Sequence, residues 1–202
     1  MKIYFDTEFT GLHKNTTLIS IGLIDENNRM FYGIFDDYDK SQVTEWIEQH
    51  VLGNLTFECP SCMITNNRTL IRGDKKKIKK ELQKWLDEGN YKLIEFVSDV
   101  AHYDFVLLID LLYNDALLMP DNVTPACIDL NSDIARYKNI NAYGAFSVNR
   151  EKLLYTINTI NMLTGHEVDE MVDDILSVEC KHNALYDAII IKFLYENINK
   201  YI

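Results

Sequence analysis

Two carboxylates near the start of the chain are the first candidates for chemistry. Asp6 and Glu8 follow the apolar run Ile3-Tyr4-Phe5 at spacing i and i+2. In a strand, that spacing points both side chains to one face. Two acids a few ångströms apart repel, and without a partner one holds its proton well above its ordinary pKa. A divalent cation relieves the conflict, and hard oxygen donors suit Mg²⁺ or Mn²⁺. A surface strand with two solvated acids is the bland alternative, and so short a motif does not choose between them. Two more acids stand beside apolar segments. Asp104 precedes Phe105 to Leu112, and Asp187 sits among Leu185, Ala188, Ile189 and Ile191. An acid among such neighbours needs a partner, although the helix dipole alone explains one at a helix start. His182 lies just upstream of Asp187. A lone histidine there is usually structural or exposed, but its pKa near 6.5 suits proton transfer at neutral pH.

These side chains need elements to carry them. Residues 2–6, 18–24 and 29–35 read as three strands, with Asp25-Glu26-Asn27-Asn28 as turn chemistry between the last two. Short connections make an antiparallel meander. Ser41 to Leu52 reads as a helix carrying Trp46, Ile47 and Val51. Asp74 to Gly89 is amphipathic, with Asp74 as N-cap, Ile78, Leu82, Trp85 and Leu86 at helical spacing, and Gly89 as the stop. Tyr91 to Val97 reads as a strand, Phe105 to Leu112 as a buried helix, and Ala126 to Leu130 as a short strand. Helices are expected at Asn131 to Arg136, at Glu151 to Leu163, and from about His182 to Ile198.

The totals bound the class. The 202 residues suffice for one sizeable domain, and 47% hydrophobic with 25% charged residues is ordinary for a globular chain. No run of 18 apolar residues suggests a membrane span, and the N-terminal apolar run is too short for a signal peptide. Four cysteines are few for a disulfide scaffold. Cys59 and Cys62 form half of a zinc pattern with His50 nearby, but Cys127 and Cys180 are remote in sequence, so an ordinary loop is the simpler reading. Together these features describe a soluble, cytoplasmic protein. The net charge of −11 excludes a general nucleic-acid coating protein but not a metal-dependent nuclease. The charge is uneven: Arg68 to Lys84 carries eight basic residues against Asp74 and Glu81, a local +6 that leaves −17 elsewhere. That stretch is either a solvated helix face or a surface that steers phosphates.

Together, in order, Asp6, Glu8, Asp104, His182 and Asp187 resemble the motifs of the DEDDh exonuclease superfamily. Asp6-Thr7-Glu8-Phe9-Thr10-Gly11-Leu12 is similar to its first motif, Tyr103-Asp104 with the apolar helix to its second, and His182-Asn183-Ala184-Leu185-Tyr186-Asp187-Ala188 to its third. Ile128-Asp129-Leu130 resembles the strand that follows the second motif. The short form looks closest to the RNase AS-like exoribonucleases, then to RNase T and oligoribonuclease. The second motif departs from the pattern: Asp99-Val100-Ala101-His102 stands where many members have His-Asn, which leaves open whether Asp99 assists.

The resemblance implies an α/β, RNase H-like fold: a mixed central sheet, an antiparallel N-terminal meander and flanking helices. Residues 1–202 would form a single exonuclease domain, with residues 36–90 a family-variable insertion. It implies a 3′–5′ exonuclease acting on single-stranded nucleic acid and releasing nucleoside 5′-monophosphates, with two Mg²⁺ or Mn²⁺ per site. Two metals about 4 Å apart meet the needs of phosphodiester hydrolysis. Asp6 would bridge them, Glu8 and Asp187 would complete one, Asp104 would serve the other, and His182 would be the general base. Phe9, Thr10, Gly11 and Leu12 would hold the 3′-terminal nucleotide, with Phe9 and Leu12 against the base and Gly11 allowing close approach. The motifs serve RNA and DNA alike, and RNA is favoured by the likeness to exoribonucleases. A DNA-directed exonuclease and a catalytically silent binding module are the alternatives; the latter would be expected to lack one of the five residues. Relatives of RNase T and RNase AS type imply a homodimer.

Overall fold

A computed structural model describes residues 1–58, 65–165, 170–177 and 180–201 of the chain. The strands β1 (Lys2–Phe9), β2 (Leu18–Asp25) and β3 (Met30–Phe35) form the expected meander. They belong to a six-stranded sheet ordered β4-β3-β2-β1-β5-β6, where β4 is Arg68–Gly73, β5 Glu95–Ser98 and β6 Ile128–Asp129. Only β2 runs against the other five, since β3–β4, β1–β5 and β5–β6 pair in parallel. Strands β2 and β3 are buried throughout, which fits apolar runs covered on both faces.

Alternation along β1 divides the two layers. Tyr4 joins one cluster with Ile24, Tyr32 and Ile34 beneath the helices α4 (Leu130–Lys138), α6 (Arg150–Thr164) and α8 (Ala184–Ile198). Ile3 and Phe5 join the other with Phe31 and Phe96, beneath α2 (Lys75–Glu88) and α3 (Ala101–Leu112). Asp6 and Glu8 therefore face the α8 layer and Thr7 the α3 layer. Shorter helices are α1 (Glu45–His50), α5 (Ala142–Phe146) and α7 (Glu170–Leu176). Among the described residues, no helix is long and apolar enough to cross a membrane.

Helix α8 is the keystone of the first layer, and its placement is fixed at both ends. At its start, an added Cβ on Gly22 would come within 2.3 Å of the backbone at Ala184 and Leu185, so only glycine permits this contact. Toward its far end, buried Lys192 donates from Nζ to the carbonyls of Asp25 at 2.9 Å and Glu26 at 3.1 Å and to Asn28 Oδ1 at 2.6 Å, which satisfies its charge in the β2–β3 turn.

Several elements differ from expectation. The helix expected from Ser41 to Leu52 is only Glu45–His50, because Val43 and Thr44 are extended and Thr44 caps it through its side chain. Short 3₁₀ turns at Lys40–Gln42 and Leu52–Asn54 flank it. Ile47 and Val51 are buried as expected, but Trp46 is 52% exposed. The strand expected over 91–97 is confined to Glu95–Ser98, since Tyr91 turns to donate its hydroxyl to Asp25 Oδ2 at 2.6 Å. Gly89 ends α2 with right-handed φ. What demands glycine there is the Tyr91 ring, 2.1 Å from where a Cβ would lie. Cys180 is disulfide-bonded and Cys127 is free. Cys59 and Cys62 lie outside the described residues.

Candidate active site

The carboxyl ends of the parallel strands β1 and β5 lie side by side, at the edge of the sheet where open α/β folds place their ligands. Asp6 sits opposite Gly22 in the β1–β2 ladder, and a bulge between Glu8 and Phe9 then turns the chain. Because α8 presses onto Gly22, its first turn carries Asp187 toward Asp6 and Glu8. His182 precedes that turn with φ of 64°, a left-handed conformation uncommon for a side-chain-bearing residue. Its backbone N–H donates to Asp187 Oδ2 at 2.9 Å, and its Nδ1 lies 3.7 Å from Glu8 Oε1. Asp104 comes from the opposite layer, in the first turn of α3. It is 1% exposed and accepts from Thr7 Oγ1 at 2.5 Å and from Ser98 Oγ at 2.6 Å.

All five motif residues therefore converge, in two groups. Ligand atoms of Glu8, His182 and Asp187 lie within 4.8 Å of one another, and so do those of Asp6, Asp99 and Asp104. Burial pushes the carboxyl of Asp6 well above the ordinary range, and repulsion from Asp104, Asp187, Glu8 and Asp99 adds to it. Asp187 is raised likewise, first by burial and then by Glu8, Asp99 and Glu151. Asp104 is pushed up to about 7 by burial, against the lowering effect of its Ser98 and Thr7 hydrogen bonds. Buried oxygen donors in such mutual conflict are a donor set suited to hard divalent cations, whose charge would remove it.

These groups open into a pocket of about 610 Å³, within the usual range for small-ligand sites. Phe9, Thr10, Gly11 and Leu12 all line it. Phe9 stacks on Tyr103 with ring centroids 5.8 Å apart, and Leu12 is 69% exposed. Thr10 spends its hydroxyl inward, donating to Gln42 Oε1 at 2.6 Å and accepting from the Thr17 N–H at 2.9 Å. It thus secures the loop, while its neighbours offer the apolar surface.

The pocket also contains residues that local motifs do not announce. Trp46 sets its ring edge-on to His182 at 5.1 Å and stacks on His50 at 4.9 Å. Phe146 ends α5, Asn149 lies just before α6, and Arg150 and Glu151 open α6. In sequence they are an aromatic and an Asn-Arg-Glu run at a helix start, which no spacing rule connects to Asp6.

Nearly the whole chain has a counterpart among known families. A family model described as the 3′-5′ exoribonuclease Rv2179c-like domain matches residues 1–198. Two curated relatives come from Mycobacterium tuberculosis: 3′-5′ exoribonuclease MT2234.1 of strain CDC 1551 / Oshkosh and 3′-5′ exoribonuclease Rv2179c of strain ATCC 25618 / H37Rv. This chain is 31% identical to each over 111 residues, which are 55% of this chain and 61% of each relative. The chain thus spans about 61% of the length of the curated relatives that it matches.

Proposed function

The chain belongs to the Rv2179c-like 3′-5′ exoribonuclease family, and on that premise we propose that it removes nucleotides from the 3′ end of single-stranded RNA as 5′-monophosphates, using two divalent ions. The observation that carries the reading is the convergence of Asp6, Glu8, Asp104, His182 and Asp187 from three separate segments onto one pocket. Asp6, a member of one group that also feels Glu8 and Asp187 of the other, would be shared by both ions. Glu8 and Asp187 would hold one, and Asp104 would serve the other. When bound, the pair of ions supplies charge stabilisation at the phosphoryl group and acidifies the attacking water.

The protein's own groups do the rest. His182 takes the proton from the attacking water. With Nδ1 turned toward Glu8, Nε2 is the nitrogen left for that water. Trp46 backs the ring and limits its rotation. Phe9, Leu12 and Trp46 offer the terminal bases apolar and aromatic surface, which grips any base by its face and so tolerates sequence. The exposed Lys76, Lys77 and Lys80 and the half-buried Lys79 on α2 would guide the remaining phosphates. The proposal extends to a cytoplasmic homodimer in which these lysines serve the site of the other copy; molecular mass in solution tests that part.

The function is tested with a single-stranded RNA oligomer in Mg²⁺. The wild-type protein should release mononucleotides, and excess EDTA or Asp6→Ala should stop it. Turnover that persists in saturating EDTA would overturn the metal-dependent reading.

A further inference from the structure

Asp99 is a fifth acid at the site and belongs to none of the family's motifs. It follows β5 directly and lies within 4.8 Å, oxygen to oxygen, of Asp6 and Asp104. Arg150, whose side chain is 13% exposed, holds it through Nε on Oδ2 at 3.2 Å. The same guanidinium donates to the carbonyls of Ala145 at 2.9 Å and Val148 at 2.6 Å and to Asn131 Oδ1 at 2.7 Å. Asn131 in turn donates to the Asp99 carbonyl. One half-buried cation thus ties Asp99 to α4 and to the end of α5 and fixes its side chain.

A counter-ion for Arg150 would not have to sit against two other carboxylates. Placing it there adds repulsion to Asp6, an arrangement that makes sense if a cation is to be shared. The donor count points the same way. Asp104 already accepts a hydroxyl on each of its oxygens, and Asp6, in the same group, also feels Glu8 and Asp187 of the other group. Asp104 thus has one lone pair per oxygen left for the ion on its side, and Arg150 engages one oxygen of Asp99, which leaves the other for the same ion.

We propose that Asp99 is a fifth carboxylate ligand, binding the divalent ion on the Asp104 side of the site and held in position by Arg150. The inference rests on the two-metal exoribonuclease reading. Through a direct bond from Asp99, this ion would be held more firmly than by Asp6 and a hydrogen-bonded Asp104 alone.

Calorimetric titration of the full chain with Mn²⁺ tests it, using Asp99→Asn, which keeps the size of the side chain and an oxygen for Arg150. Wild-type protein should bind two ions. The variant should keep one at wild-type affinity and bind the other on the order of 10- to 100-fold more weakly. Two ions bound by Asp99→Asn at wild-type affinity would overturn the inference and leave the two-metal reading standing; a wild-type protein that binds no Mn²⁺ would overturn both. If the variant does not fold, a crystal of wild-type protein grown with Mn²⁺ decides instead. An Asp99 oxygen within about 2.5 Å of an ion supports the assignment, and a separation of both ions from Asp99 by an intervening water refutes it.

Discussion

Replacing Gly22 by alanine should disable the site from a residue that touches no substrate. The added Cβ would lie 2.3 Å from the Ala184 carbonyl carbon and oxygen and from the Leu185 nitrogen, where ordinary contact begins at 3.4 Å. Relief requires about 1 Å of separation between β2 and the first turn of α8. The obstacle is backbone, so no rotamer change supplies it. Helix α8 cannot slide as a unit either, because Lys192 is fastened to the β2–β3 turn. The displacement therefore falls on residues 182–187, which carry His182 and Asp187. A misplacement of about 1 Å in a catalytic constellation can lower turnover on the order of 100-fold. Overpacking of this kind costs about 1–3 kcal/mol, or about 2–4 °C in Tm per kcal/mol for a chain of this size. Gly33→Ala is the control. Its Cβ would meet the Ile78 side chain at 2.9 Å on the α2 face, away from α8. Thermal unfolding and steady-state turnover of a labelled RNA oligomer compare the two. Gly22→Ala should lose kcat far beyond its loss of Tm, and Gly33→Ala should lose Tm with kcat nearly intact. Wild-type kcat in a folded Gly22→Ala protein would refute the argument that this contact positions the site.

Other perturbations read other parts of the account. In EDTA the protein should lose stability as pH rises from about 4 through about 7. The folded state binds more protons there than the unfolded chain, because Asp104 is pushed up to about 7 and Asp6 and Asp187 are raised as well. Mg²⁺ should flatten that slope, and a Tm in EDTA that is level over the range would contradict the buried-acid description. His182→Ala should cut kcat on the order of 10²- to 10⁴-fold while sparing Mn²⁺ affinity; a loss under about threefold across pH 6–9 would assign the base elsewhere. Converting Lys76, Lys77 and Lys80 to Glu should raise KM for an RNA oligomer and lessen its salt dependence, by about 0.7 in log–log slope for each phosphate that a lysine no longer neutralises. An unchanged KM with the same salt dependence would leave these lysines as a solvated face.

The five motif residues were legible because local sequence carried them. Asp6 and Glu8 share a face through strand alternation, and Asp187 stands out as an acid in an apolar helix that is buried almost all round. The meander and α2 were legible for the same reason, as long stretches with one clear period. Strand β4 was not. It is an edge strand, with Arg68 and Arg72 among its six residues and none of the six fully buried, so it shows neither alternation nor an apolar run. Trp46 misled in a different way. It is adjacent to the buried Ile47, but one residue along a helix is a rotation of about 100°, which carries its ring out to the pocket rim. Asp99 and Arg150 are 51 positions apart and meet only because α6 packs beside the end of β5. Pairings of that range follow from tertiary packing, which no local pattern encodes.

The pocket at the ends of β1 and β5 is proposed to hydrolyse RNA from its 3′ terminus with divalent metal. Single-turnover digestion of one RNA oligomer, labelled at its 5′ end, with Mg²⁺ and with its 3′ hydroxyl either free or blocked by phosphate, tests this most directly. The account predicts a ladder of labelled fragments shortening one nucleotide at a time when the 3′ end is free, and intact label when it is blocked. Immediate release of labelled mononucleotide, or equal digestion of the blocked oligomer, would contradict it.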